Sequence, residues 1–321
     1  MEQSIQNIPA QFSFEPIVEN KDMLRSADGF VVGGMGGSHL SAGILKIIDS
    51  TVDVHVHRGY GLPGPKTEWF KKALYIASSY SGNTEETIDF AEKAFEKKYN
   101  LAIISTGGKL IEFAKTHNLP YILLPQGDIQ PRVALGFSLL ALAKLIGGDT
   151  LVKEFQNVGS KLDIDRWKEV GLTLAKELKS SVPIVYSSSD NFGLAYSWKI
   201  KFNETAKIPA FYNIFPELNH NEMNGFDIVS TTKKLSKDFY FIFLEDSNDN
   251  PKIIRRMTVL KKLYEDRGYS VKVLPIIGDS PLEKVFNSLI LADWTSFSLA
   301  KIYGVEPQAV PMVEEFKKLI S

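Results

Sequence analysis

The sequence predicts an α/β protein of two doubly wound parallel-sheet domains with a helical bridging segment. Three observations point there. The chain has 321 residues, room for two domains at roughly 150 residues each. Short apolar runs alternate with segments of helical spacing, the pattern of parallel sheets covered on both faces. The alternation stops after Gly147-Gly148, gives way to a more polar helical stretch, and then resumes. A first domain is therefore expected over residues 1–150. The second, over 151–321, opens with the bridging segment.

Residues 30–34 read as a strand ending in glycines, 39–48 as a helix and 51–57 as a strand. Residues 73–78 form a buried strand. Residues 84–97 form a helix with acids in its first turn and lysines in its last, as the helix dipole favours. Residues 101–105 and 121–124 are strands, and 133–146 an apolar helix closed by the glycine pair. Residues 151–178 form the bridge. Beyond it come strand 183–186, helix 192–207, strands 209–214 and 239–245, helix 253–267, strand 270–275, helix 282–303 and a short helix after Pro311. In both halves the opening strand runs into a loop of tiny residues before a helix: 33–38 in one, Ser187-Ser188-Ser189 in the other. The second half thus reads as a repeat of the first, with little identity left.

Composition narrows the function. At 44% hydrophobic and 23% charged the chain is an ordinary globular sequence, without long disorder. Its 37 basic and 38 acidic residues leave a formal charge of -1. That lacks the basic excess of a general nucleic-acid or anionic-membrane binder, and neither partner is expected. With no cysteine, disulfides, thiolate catalysis and cysteine-held metals are excluded. Residues 1–12 are polar, so no signal peptide is read there. No apolar run is expected to reach the roughly 18 residues of a membrane helix. The expectation is a soluble, cytoplasmic protein.

Residues 33–38 suggest a dinucleotide loop, but the third glycine position holds His39, and His57-Arg58 stand where an acidic residue belongs. The loop is either a tight turn or a place where backbone approaches a ligand. The run Ser78-Ser79-Tyr80-Ser81-Gly82-Asn83-Thr84 follows a strand and opens a helix. Hydroxyls at Ser79, Ser81 and Thr84 with open N–H groups make a phosphate cradle, or else plain N-caps. No lysine of the P-loop kind is present, so a sugar phosphate suits it better than a nucleoside triphosphate. Glu204 in Asn203-Glu204-Thr205 is a base or a solvated carboxylate. Asn219-His220-Asn221-Glu222 and Lys301 are each weak signals alone, the lysine fitting a helix C-terminus. Arg132 after Pro131 could neutralise an anion or stand exposed. His55 and His57 have a spacing that can hold a metal, but no carboxylate set accompanies them, and no metal site is expected.

Together these residues resemble the sugar isomerase (SIS) superfamily, whose domains are flavodoxin-like. More closely, they are similar to the bifunctional phosphoglucose/phosphomannose isomerases of archaea and some bacteria. The resemblance spans nearly the whole chain. It rests on Gly34-Met35-Gly36-Gly37-Ser38, on Ser79 to Thr84, on Pro131-Arg132, on Asn203-Glu204, on Asn219 to Glu222 and on the Lys301 helix. It implies a metal-independent, cofactor-free aldose–ketose isomerase acting on fructose 6-phosphate, glucose 6-phosphate and mannose 6-phosphate through a cis-enediolate. Gly36, Gly37 and Ser38 would line the substrate, and Ser79, Ser81 and Thr84 would bind its phosphate. Glu204 would be the base and Arg132 would stabilise the enediolate. His220 and Lys301 would handle ring opening, with His220 donated across a homodimer. Thr295 is a candidate for lining the room needed at C2. His39 departs from the glycine common in the family. The alternatives are a non-catalytic SIS sensor of sugar phosphates or another phosphosugar isomerase.

Overall fold

A computed structural model describes residues 1–64 and 68–320. The chain divides into two units, residues 6–162 and residues 1–5 with 163–321. Helix α1 (Glu2–Gln6) opens the chain.

The first unit is built on a five-stranded parallel sheet of order β2-β1-β3-β4-β5. Its strands are β1 (Phe30–Gly33), β2 (Val54–His57), β3 (Leu74–Ser78), β4 (Asn100–Ser105) and β5 (Tyr121–Leu123). Every residue of β3, the middle strand, is buried. Helices α2 (Gly37–Ile48), α3 (Glu68–Lys72), α4 (Glu85–Glu96), α5 (Gly108–Thr116) and α6 (Leu135–Gln156) connect and cover the strands. Helix α4 carries Glu85 and Glu86 in its first turn and Lys93 in its last, and buries Phe90 and Ala91. Phe90 joins Val31, Tyr75, Ala77, Ile103 and Leu110 in one core cluster. Burying one such large side chain contributes about 1.5–3 kcal/mol.

The apolar helix breaks at Gly147-Gly148 as read: Gly148 has a φ of 65° and a ψ of −154°, which are not helical, and a second helical stretch, counted here as the rest of α6, runs on to Gln156. The continuation buries Val152 and Phe155. Beyond it, a Cβ on Gly159 would lie 2.8 Å from the Pro9 carbonyl oxygen, so that turn is pressed onto the N-terminal segment of the same unit. Residues 151–162 thus pack with the first unit, and the division between the units falls after Leu162. The stretch Leu135–Lys161 is also long and apolar enough to cross a membrane, contrary to the reading of the sequence. Leu139, Leu140 and Leu142 are buried, and Gln11 brackets the helix start. Its amide donates to Val133 O and its carbonyl accepts from Gly136 N, both at 2.9 Å. These are the features of a core helix.

The second unit repeats the plan with four parallel strands in the order β7-β6-β8-β9. They are β6 (Val182–Ser188), β7 (Phe211–Phe215), β8 (Phe239–Glu245) and β9 (Ser270–Pro275). Helices α7 (Ile164–Glu177), α8 (Phe192–Lys201), α9 (Glu222–Gly225), α10 (Pro251–Glu265), α11 (Pro281–Tyr303) and α12 (Pro311–Ile320) complete it. Helix α11 is buried from Val285 to Ala300 and packs on α7 and α8. Several of its polar groups find partners inside. Asn287 accepts from Trp167 Nε1 at 2.9 Å, Ser288 accepts from Trp198 Nε1 at 3.0 Å, and Asp293 pairs with Lys201 at 2.6 Å.

Candidate active site

The candidate residues divide between the units. Gly36, Gly37, Ser38, Ser79, Ser81, Thr84 and Arg132 belong to the first, and Glu204, His220, Thr295 and Lys301 to the second.

In the first unit the strand order reverses between β1 and β3. Open α/β sheets bind ligands at the carboxyl ends of such strands. The register pairs Gly33 with Ala77, which sets the two following loops side by side. Glycine lets them touch. A Cβ on Gly34 would stand 2.7 Å from Ser78 O, and one on Gly37 2.9 Å from the carbonyl carbon of Pro131. Gly36 takes a left-handed φ of 52° just before α2. Ser38 then ties the loops together. Its Oγ accepts from Tyr80 N at 2.9 Å, and its carbonyl accepts from Ser78 Oγ at 3.2 Å.

The serine-rich loop is held from below. Gly82 has φ 70°, and a Cβ there would lie 1.8 Å from Gly107 O. Gly108, φ 66°, leaves no room for a side chain against Ser81 O. Thr106 donates both its N–H and its hydroxyl to Tyr80 O. The support from the loop after β4 was missed in the sequence, although Gly107-Gly108 between a strand and a helix was its signal. Ser79 is enclosed, and its Oγ lies 2.8 Å from Thr84 Oγ1. Ser81 is exposed. No side chain caps α4, so the helix start presents its first N–H groups and the positive end of its dipole to an anion. Arg132 is 1% exposed and donates from Nη1 to Gln130 Oε1 at 3.3 Å. Its backbone N–H lies where Gly37 has no side chain.

His39 is buried in α2. Burial first, and the charge of Arg58 second, lower its pKa to about 4. The position read as a departure therefore holds a neutral imidazole near neutral pH. His55 meets the Phe70 ring edge-on at 5.4 Å, and His57 stacks on Phe90 at 5.7 Å.

In the second unit the helix read over 192–207 ends at Lys201 and widens into a π-turn, Phe202–Ala206. Such turns are rare and frequently mark functional sites. Phe202, Thr205 and Ala206 are buried, while Asn203 and Glu204 are half-buried. The wide turn thus sinks three side chains and leaves Asn203 and Glu204 partly accessible. Its ties include an ion pair and two hydrogen bonds. Lys201 and Asp293 form an ion pair, each 1% exposed. Asn203 Nδ2 donates to Ile208 O at 2.9 Å, and Lys207 Nζ donates to Glu204 O at 2.5 Å. The π-turn packs on α11, the helix that carries Lys301 in its last turn. Lys301 is exposed, with Nζ 5.4 Å from the Phe297 ring centre. His220 is exposed at the end of a short 3₁₀ turn, Glu217–His220. Thr295 is fully buried. Its hydroxyl donates to Leu291 O at 2.7 Å, and its backbone N–H lies beside Gly171 of α7.

Residues 168–320 match the family model "Bacterial phospho-glucose isomerase C-terminal SIS domain". A bifunctional phosphoglucose/phosphomannose isomerase of Thermoplasma volcanium is 33% identical, over 97% of this chain and 100% of that protein. The chain belongs to the bifunctional phosphoglucose/phosphomannose isomerase family. A second member of that family, from Aquifex aeolicus, is 32% identical over 96% of this chain and 94% of its own length. The fold is shared more widely. A solved structure of glucosamine-6-phosphate deaminase from Thermotoga maritima aligns over 96% of this chain and 95% of that chain, with a TM-score of 0.69 at 14% identity.

Proposed function

We propose that the chain interconverts fructose 6-phosphate with glucose 6-phosphate and mannose 6-phosphate through a cis-enediolate, without a metal. The observation that carries this reading is the π-turn, which leaves Glu204 partly accessible while Phe202, Thr205 and Ala206 are buried. In an isomerase family, that is where a base belongs. Aldose–ketose exchange needs a base that moves one proton between C2 and C1, and a carboxylate suffices. Glu204 takes this role. Arg132 supplies fixed positive charge to the developing enediolate. His220 and Lys301 pass the protons of ring opening, a task suited to an imidazole. Ser79, Ser81, Thr84 and the N-terminus of α4 hold the phosphate, whose binding positions the reacting carbons, and Gly36, Gly37 and Ser38 line the substrate.

Both aldoses share one intermediate because the enediolate is planar at C2. A site that tolerates rotation about C2–C3 reprotonates either face with the same base. Thr295, enclosed in α11, is left out of this assignment. His220 is assigned to the neighbouring subunit's site in a homodimer.

The test is a coupled assay from fructose 6-phosphate in the presence of EDTA. The expected result is both aldose phosphates at undiminished rate. Activity lost to EDTA and restored by zinc would overturn metal independence. Phosphosugar binding with no turnover would favour a sensor.

A further inference from the structure

His220 stands between two anchors. On one side Leu218 is fully buried, in a cluster with Tyr186, Phe215 and Phe226. On the other, Glu222 starts α9 with both carboxylate oxygens taken. Tyr186 Oη donates to Oε1, and Asn213 Nδ2 donates to Oε2. These two donors are register partners on the adjacent strands β6 and β7, so their side chains rise from the same face of the sheet. Each is fixed in its own right. Tyr186 is fully buried, with its ring 5.5 Å from Phe243 in a stacked pair. Burial also holds its phenol far above the ordinary range, so it remains a donor. Asn213 Oδ1 accepts from Ile214 N at 2.8 Å, which fixes the amide with its NH₂ toward Glu222. Within the loop, Asn221 Oδ1 accepts from Glu222 N at 2.6 Å and its amide donates to Glu217 Oε1 at 2.8 Å.

We propose that Tyr186, Asn213 and Glu222 are positioning residues, a two-donor clamp on the sheet that fixes where the His220 loop presents its imidazole. The proposal rests on the assignment of His220 to ring opening. Tyr186 lies in the packed body of the unit, Asn213 and Glu222 are half-buried, and the exposed histidine lies on the loop they hold.

A double-mutant cycle in the full-length enzyme tests this. Tyr186→Phe removes one oxygen and keeps the ring. It should lower kcat/KM for fructose 6-phosphate by about tenfold, the scale of one lost buried hydrogen bond to a charged group. In a His220→Ala background the same substitution should change kcat/KM by less than about twofold, because the group it positions is gone. Asn213→Ala should behave likewise, and serves if Tyr186→Phe folds poorly. A merely structural role would lower Tm in both backgrounds and leave the two effects on kcat/KM equal. Equal effects, or no effect in the wild-type background, would overturn the clamp. If His220→Ala alone leaves activity intact, the assignment of His220 fails first, and the clamp falls with it.

Discussion

Ser38 Oγ accepts the backbone N–H of Tyr80 at 2.9 Å, joining the loops that follow β1 and β3. Those loops meet where the strand order reverses. One buried hydroxyl thus sets the spacing of the glycine-rich loop against the proposed phosphate cradle. Ser38→Ala leaves the Tyr80 N–H without this acceptor, a loss of about 1 kcal/mol net. The expected outcome is a Tm lower by roughly 2–4 °C for a unit of this size, with KM for fructose 6-phosphate raised several-fold. Thermal unfolding and steady-state kinetics check it. If neither moves, the loops are set by other contacts.

Glu204→Gln keeps the shape of the side chain and removes the base. The rate of isomerisation should fall by roughly 10²–10⁴, with phosphosugar binding retained. Tm is read alongside, to separate loss of the base from loss of the fold. Stopped-time assays with calorimetric binding of fructose 6-phosphate separate the two effects. Activity within a few-fold of wild type would displace the base from Glu204.

His39 makes the fold acid-sensitive. Its pKa is about 4 in the folded chain, against 6.5 for an unperturbed imidazole. Between these values the unfolded chain binds a proton that the folded chain refuses. The contribution is therefore whole above pH 6.5 and is lost as pH falls towards 4. Its size is about 3 kcal/mol, at 1.36 kcal/mol for each pH unit between the two values. His39→Asn, neutral throughout, should flatten the fall in urea-unfolding stability between pH 7 and pH 4.5. An unchanged slope would mean that other groups govern the acid limb.

Some of this was readable from the residues and some was not, for physical reasons. The Ser79 to Thr84 loop declares itself because its chemistry is local: a strand, a tight turn and a helix start lie within ten residues. The strands were readable because parallel strands are apolar throughout. The π-turn was not, because Phe202 to Ala206 reads as ordinary helix. One tie beside that turn is the Lys201 pair with Asp293 on a different helix, which no local pattern reveals. The Glu222 clamp is likewise a matter of strand register. That residues 151–162 pack with the first unit was not readable, because the residues they meet, Pro9 and Phe12, lie far away in the sequence. Helix α5 was passed over because its Gly107-Gly108 start reads as loop.

The last prediction concerns the subunit that uses His220. The histidine is exposed, on a short polar segment whose two ends are anchored by Leu218 and Glu222. A side chain held outward in this way is suited to reach a neighbour. If it does, each site in a homodimer combines Glu204 of one chain with His220 of the other. Two inactive homodimers, Glu204→Gln and His220→Ala, are mixed and their chains allowed to reassort. In a mixed dimer one site then receives both defects and the other receives neither. Random pairing makes half of the dimers mixed, and half of their sites intact, so activity should recover to about a quarter of wild type. A histidine acting within its own chain leaves one defect in every site of a mixed dimer, and nothing recovers. Mixed dimers verified by mass, with no recovery of activity, would sink the shared site while leaving the isomerase reading intact.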